Sequence, residues 1–359
     1  MSQARDLADL GSSAEAGTVT GDNLIINGDM TVAQRGTSFT APSSSAYTLD
    51  RWRVIHGQDG AVDVSQSTTA PPNFKNSLKL DVTTADTSLS SGQYYIVQHK
   101  MEGQFLSHLN YGSSDAKQVT LSFWVRSNKT GTYHVELQTY DSEELARQYT
   151  IDAADTWEYK TLTWIANTDH TIPEDNSTGL HIYWWLAAGS AYDGSPIATT
   201  WANNTNRVDG QTNFLDSTSN EFYLTGCKLE VGTTATPFQH ESYAENLAKC
   251  QRYFQRLYAQ NSASSFGTGA SYSNVAHYFT YHHPVSMRAT PSIGRSALAD
   301  LIVVGTGTSK APSTLARQGG TNETSEFLAN TATALGSSGN ACWIRIKTAD
   351  KYVEWNADL

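Results

Sequence analysis

The sequence predicts an all-β protein: an antiparallel jelly-roll sandwich, one connecting helix and a second, smaller C-terminal β-domain. Three observations predict it. Apolar and polar residues alternate at period two in one short segment after another. Gly, Ser, Asn and Asp punctuate those segments, and no strand–helix–strand alternation occurs that would build a doubly wound sheet. The chain has 359 residues, 11% aromatic and 16% charged, so it is too aromatic and too weakly charged to be intrinsically disordered.

Taken in order, residues 1–22 form a head segment. Residues 4–10 can make one or two helical turns before Gly11-Ser12-Ser13, and a Gly/Thr/Ala linker follows. The apolar anchors are Leu7, Leu10 and Val19, too few to offset ordering of the backbone. This segment is therefore expected to order only on a partner.

Residues 23–240 make the first β-domain. Val119, Leu121, Phe123 and Val125 alternate with Thr120, Ser122, Trp124 and Arg126. Tyr133, Val135 and Leu137 alternate with His134, Glu136 and Gln138, and Cys227, Leu229 and Val231 with Lys228 and Glu230. Each pattern predicts a half-buried antiparallel strand. Further strands are expected at 77–83, 93–99, 158–165, 180–186 and 221–224, about eight in all by the strand-length rule. Two packed sheets bury such a set economically.

Residues 241–260 predict the helix. Ser242 and Glu245 match the S-x-x-E capping box. Tyr243, Leu247, Cys250, Phe254 and Leu257 recur at heptad-like spacing, a stripe that either lines a symmetry axis or packs on its own chain. Three copies about an axis would bury it, which predicts a homotrimer.

Residues 261–359 make the second β-domain. Tyr278, Thr280 and His282 alternate with Phe279 and Tyr281; Cys342, Ile344 and Ile346 alternate with Trp343, Arg345 and Lys347. Thr348-Ala349-Asp350 is expected to turn the latter strand into a hairpin with 352–355. Residues 305–339 read as a Gly/Ser/Thr/Ala connection with one apolar patch at Phe327-Leu328.

Several function classes are excluded or disfavoured. Net charge is −11 and the 24 Lys and Arg are unclustered, so nucleic acid is not an expected partner. The longest apolar run, residues 182–188, is too short for a membrane span, so no membrane insertion is expected. The N-terminus lacks the apolar core of a secretory signal. Cys227, Cys250 and Cys342 are odd in number and widely spaced, which predicts three separate thiols. There is no G-x-S-x-G, P-loop or H-E-x-x-H motif, and Asp141, Glu143 and Glu144 share one short loop, so a non-enzyme is expected. His277, His282 and His283 have no partner at zinc-ligand spacing. No cofactor is expected; the one cation the residues leave open is a structural Ca²⁺ on carboxylate-rich loops such as Asp152-Ala153-Ala154-Asp155.

Four blocks carry a resemblance. The first is residues 23–39, with Asn27-Gly28-Asp29-Met30 and Ala33-Gln34-Arg35-Gly36, followed by Tyr47-Thr48-Leu49-Asp50-Arg51-Trp52. The second is Leu121-Ser122-Phe123-Trp124-Val125-Arg126-Ser127. The third runs Leu224-Thr225-Gly226-Cys227-Lys228-Leu229-Glu230-Val231-Gly232, then Ala235-Thr236-Pro237-Phe238 and on into residues 245–254. The fourth is Pro284-Val285-Ser286-Met287-Arg288-Ala289-Thr290-Pro291. In this order they resemble tailed-bacteriophage tail-fibre and virion-surface proteins with a carbohydrate-binding-module-like jelly roll.

The resemblance implies a structural virion protein, usually a homotrimer, that attaches the particle to host-surface glycans. Residues 1–22 would then anchor it, through Leu7 and Leu10, to another virion protein. A capsid head-fibre or decoration protein of the same fold is the alternative. A glycan depolymerase tailspike is a third reading, against which stands the absence of a repeated β-helix pattern.

Such modules hold sugars with aromatic faces and Asn, Asp or Gln side chains. Tyr183 and Trp185 share one face of their strand and Trp184 takes the other, so one of the two faces is core. The long polar loop 189–211 supplies the glycan-binding candidates Tyr192, Asp193, Trp201, Asn203 and Asn204. Trp201 equally suits an anchor for the loop.

Overall fold

The structure is a computed structural model that describes residues 21–141, 143–194, 196–203, 206–259 and 264–359. The head-segment anchors Leu7 and Leu10 lie outside the described residues. The chain divides into two compact units, the first running to Tyr243 and the second covering Ala244–Asp358.

The first unit is a jelly-roll sandwich of eleven strands. They are β1 (Ser38–Phe39), β2 (Trp52–His56), β3 (Ala61–Ser67), β4 (Ser77–Thr84), β5 (Tyr94–Glu102), β6 (Val119–Ser127), β7 (Gly131–Thr139), β8 (Glu144–Ile151), β9 (Glu158–Trp164), β10 (Thr178–Ala188) and β11 (Glu221–Val231). One sheet has the order β1-β3-β4-β11-β6-β9, the other β2-β5-β10-β7-β8, with every pairing antiparallel. The period-two segments supply the inner faces. Val119, Leu121, Phe123 and Val125 from one sheet and Tyr133, Val135, Leu137, Ile182 and Trp184 from the other are fully buried in a shared core. Trp184 packs on Trp52 at 5.3 Å and edge-on to Phe123 at 6.2 Å. Burying each such side chain is worth about 1.5–3 kcal/mol, so these contacts fix the register.

The residues that carry the resemblance hold this core together. Asn27, buried and at φ 59°, donates through Nδ2 to the Val32 and Asp50 carbonyls and accepts from the Val32 N–H. Trp52 Nε1 donates to the Asn27 carbonyl at 2.9 Å. Gly28 lies so close to the Cys227 carbonyl that a Cβ would sit 2.1 Å from its oxygen. In β11 a bulge falls between Thr225 and Lys228 around Gly226, at φ 61°. It turns Cys227 and Leu229 to the core and Lys228 to the opposite face, where its buried ammonium lies 3.2 Å from Glu230 and donates to the Pro237 carbonyl.

α1 (Tyr243–Gln251), the one α-helix among the described residues, begins on the last residue of the first unit's main stretch, and from Ala244 on it belongs to the second unit. Its strands are β12 (Phe254–Tyr258), β13 (Ser264–Ser271), β14 (Ala276–His282), β15 (Ser292–Arg295), β16 (Leu301–Gly305), β17 (Thr308–Lys310), β18 (Pro312–Gly320), β19 (Thr324–Thr331), β20 (Ala341–Ile346) and β21 (Tyr352–Asn356). They form a three-stranded sheet, β12-β21-β15, and a seven-stranded sheet, β17-β16-β20-β13-β14-β19-β18. Phe266, Phe279, Phe327, Ile344, Val353 and Trp355 are among the buried residues of its core.

Three expectations are corrected here. The helix begins after Ser242 but spans nine residues rather than the whole of 241–260. Tyr243 is exposed and Cys250 is buried on it, whereas Phe254 and Leu257 lie on β12, paired with Asn356 and Val353 of β21. The heptad-like stripe is therefore not one helical face. Strand pairing in the run Phe254-Gln255-Arg256-Leu257-Tyr258 outweighs helix propagation, as tertiary context commonly does. The hairpin at Thr348-Ala349-Asp350 is also absent. Asp350 does turn, at φ 60°, but β20 pairs with β13 and β16 while β21 pairs with β12 and β15, so the turn crosses between sheets. Finally, residues 305–339 contain β17, β18 and β19 rather than a bare connection. Leu315, Phe327 and Ala329 are buried, and small polar residues fill the exposed positions.

Candidate functional site

The outer face of the five-stranded sheet departs from an ordinary solvated surface. Its residues fall in three rows across the strands. Ile55, Ile96, Trp185, His134 and Gln148 form one; Arg53, Gln98, Tyr183, Glu136 and Ala146 the second; Lys100, His181, Gln138 and Glu144 the third. The face is aromatic in the middle and polar around it. Trp184 takes the core, so the ambiguity between the neighbouring tryptophans resolves with Tyr183 and Trp185 outward.

The loop after β10 folds back over this face. Its two limbs pair: the Arg207 N–H donates to the Tyr192 carbonyl at 2.8 Å and the Gly194 N–H to the Val208 carbonyl at 2.9 Å. Asp193 closes the loop, its carboxylate accepting from the Gly210 and Gln211 N–H groups. The Gln211 amide donates to the Trp185 carbonyl, and its oxygen lies 3.0 Å from His134 Nδ1. Side chains of Tyr192 and Arg207 thus project together over the sheet.

A cleft of about 220 Å³ lies between them, lined by Ile55, Tyr94, Ile96, Tyr183, Trp185, Tyr192 and Arg207. Trp185 is buried and forms the floor. Tyr94 and Tyr192 meet edge to face at 5.4 Å, and Tyr192 lies 5.6 Å from Trp185. The hydroxyl of Tyr183 donates to Gln138 Oε1 at 2.9 Å.

Beside the aromatic floor, on the same face of the sheet, sits a buried carboxylate. Glu136 accepts from Trp185 Nε1 at 2.8 Å and from Arg207 Nη1 at 2.8 Å. Burial pushes its carboxyl up to about 7, against the pull of the Arg207 guanidinium. Arg207 also reaches Glu144 at 3.5 Å. Two histidines on this face are kept neutral: burial lowers His134, and burial with Lys100 and Arg53 nearby lowers His181 to about 3. Gln98 Nε2 lies 2.8 Å from His181 Nδ1, while Gln98 Oε1 is buried without a hydrogen-bond partner. Aromatic faces with a few fixed polar groups at a concave site are the usual makeup of a small-ligand cleft.

The candidates from the loop separate by position. Tyr192 lines the cleft and Asp193 shapes the loop. Trp201 packs against the core, edge-on to Tyr111 at 5.9 Å, and donates from Nε1 to the Ile165 carbonyl at 2.9 Å, an anchor's geometry. Asn203 is exposed beside it, and Asn204 lies outside the described residues. Tyr94, Glu136 and Arg207 escape sequence reading because cross-strand register brings them to Trp185. A hint is present in the outward run His134, Glu136, Gln138, where an ordinary solvated face would carry Lys or Thr.

The remaining polar clusters are internally satisfied. His170 bridges Asp141 and Glu143, and its charged form is favoured first by the Asp141 hydrogen bond. Asp152 pairs with Lys160 and Asp155 with Arg126, so both carboxylates of the loop considered for Ca²⁺ have cationic partners. No cluster of three or more His, Cys, Asp or Glu at metal-binding geometry occurs among the described residues. His277 contacts Ser271 and Thr331, and His283 contacts Gln255 and Ser325. Cys227, Cys250 and Cys342 are buried.

No family model and no curated protein matches the chain. Among solved structures it is similar to a family 4 carbohydrate-binding module, with TM-score 0.34 and 12% identity over 58% of this chain and 99% of that one. A family 22 xylan-binding domain from Paenibacillus barcinonensis gives TM-score 0.30 and 10% identity over 60% and 98%. The enzymatically active domain of tailspike protein 4 of bacteriophage CBA120 gives 0.32 and 9% over 58% and 21%.

Proposed function

We propose that this chain is a non-enzymatic, carbohydrate-binding surface protein, and that it serves as a structural attachment protein of a tailed-bacteriophage virion. The observation that carries carbohydrate binding is the cleft. Tyr94, Tyr183 and Tyr192 stand around the buried Trp185. Their rings suit the apolar faces of a sugar ring, and Arg207 is held by Glu136 where hydroxyl groups would lie. The virion role is supported by the resemblance of residues 23–291 to phage fibre and surface proteins. A homotrimer and an N-terminal anchor rest on that resemblance too, since the helical stripe does not exist as one face.

Printed host-surface polysaccharides test the binding step. The wild-type protein is expected to bind a subset of them, and Tyr192→Ala to lose that binding while remaining folded by circular dichroism. Equal binding by the variant would move the site elsewhere. Release of reducing ends would overturn the non-enzyme reading, and gold-labelled antibody that leaves whole particles unmarked would overturn the virion reading.

A further inference from the structure

The charges around the cleft address which sugars it would take. Arg207 is the one cation among the cleft-lining residues. It is already engaged by two carboxylates, Glu136 at 2.8 Å and Glu144 at 3.5 Å, both buried. The loop adds Asp193 and Asp209, which act on His134 from the same side. The opposing cations, Arg53 and Lys100, stand on the β2 and β5 strands, and the Arg53 guanidinium lies over the Tyr47 ring at 5.6 Å. The other polar groups of the face, Gln98, Gln138, His181 and the Tyr183 hydroxyl, are uncharged. A ligand carboxylate brought to Arg207 would meet an already neutralised cation and two buried anions. Like-charge juxtaposition of that kind disfavours a partner strongly.

We infer that the cleft selects uncharged sugars over acidic ones, and that Glu136 is the specificity-determining residue because it neutralises Arg207 from beneath. This rests on the carbohydrate reading of the cleft. Arg207 then acts as an oriented hydrogen-bond donor to hydroxyl groups instead of a binding site for carboxylate. Glu136→Gln keeps the side chain's shape and an oxygen for Trp185 Nε1, but releases the positive charge of Arg207.

The test uses titration calorimetry of the full chain at pH 8, with neutral tetrasaccharides of glucose, galactose and mannose, each paired with the same sugar oxidised at C6 to the uronic acid. The wild type is expected to prefer the neutral member of its best pair by about tenfold or more, the equivalent of ~1.4 kcal/mol. Glu136→Gln, shown folded by circular dichroism, is expected to shrink that ratio about fivefold or reverse it. Arg207→Gln is expected to weaken the neutral sugar and leave acidic sugars unbound. A wild type that prefers the uronic form, or a ratio unchanged in Glu136→Gln, overturns the inference while leaving carbohydrate binding intact. Binding to no member of the panel overturns the carbohydrate reading and the inference with it.

Discussion

The two outer faces of the sandwich use the same residue types in opposite ways. On the six-stranded sheet, Lys79 pairs with Asp81 and Glu221, and Arg126 with Asp155 of the turn between β8 and β9. Arg126 also lies over Tyr223 at 4.9 Å, and Trp124 leans on Tyr159. These groups sit partly in solvent and satisfy one another, while farther along β11 Lys228 and Glu230 form a buried pair. On the five-stranded sheet the carboxylate of Glu136 is fully buried, roofed by a loop, and met by one guanidinium. Gln98 Oε1 there has no partner. A buried unpartnered acceptor costs about 1–3 kcal/mol, which a fold keeps only where something else compensates. The difference lies in how each face closes: residues of the sheet and its turns pair with one another on one, and on the other a covering loop supplies the cation that meets a buried carboxylate.

The largest effect expected separates the inner and outer sides of β10. Trp184→Ala should destabilise the first unit by about 3–5 kcal/mol, read by urea denaturation, because it opens the core between Trp52 and Phe123. Tyr192→Ala should cost no more than ~1 kcal/mol, since its ring packs only at the cleft. Similar costs for both would erase the distinction between core and site.

Arg207→Ala comes next. It leaves Glu136 buried and unpaired, and its cost should be about 1–3 kcal/mol at pH 8, less than for a fully enclosed pair because Arg207 is partly exposed. The loss should shrink at pH 5.5, where Glu136 takes up a proton and carries no charge. A loss independent of pH would mean that Glu136 does not feel Arg207.

The pH response itself sharpens the point. Glu136 titrates at about 7 when folded, against an ordinary 4.5. A raised carboxyl contributes stability that is fully present below about 4.5 and is lost as pH rises through about 7. Thermal melts at pH 5.5 and 8 should therefore differ more in the direction of acid stability for the wild type than for Glu136→Gln. Identical differences would contradict a buried, titrating Glu136.

The smallest effect belongs to the other face. Lys79→Ala should cost ~1 kcal/mol or less, as partly exposed pairs do, and leave sugar binding unchanged. A loss of binding there would transfer the site to the six-stranded sheet.

Much of the sandwich is legible in the sequence because period-two alternation reports directly which side chains meet the core, as in residues 119–126 and 133–138. The helix stripe was not, since Phe254 and Leu257 fit a heptad as well as a strand, and only their pairing with β21 decides between them. The same holds for 305–339, where small polar residues hide three strands whose inward positions are few: Leu315, Phe327 and Ala329. In the site, Tyr183 and Trp185 could be assigned to one face and Tyr192 to a covering loop. Tyr94, Glu136 and Arg207 come from distant positions, and no local pattern reports which strands become neighbours.

The central claim is tested most directly by a crystal structure of the protein with the tetrasaccharide that titrates most tightly. The account predicts a sugar ring in the cleft against Tyr94, Tyr183 or Tyr192, with a hydroxyl within hydrogen-bond distance of Arg207. An ordered sugar elsewhere on the molecule, with the cleft empty, would contradict it.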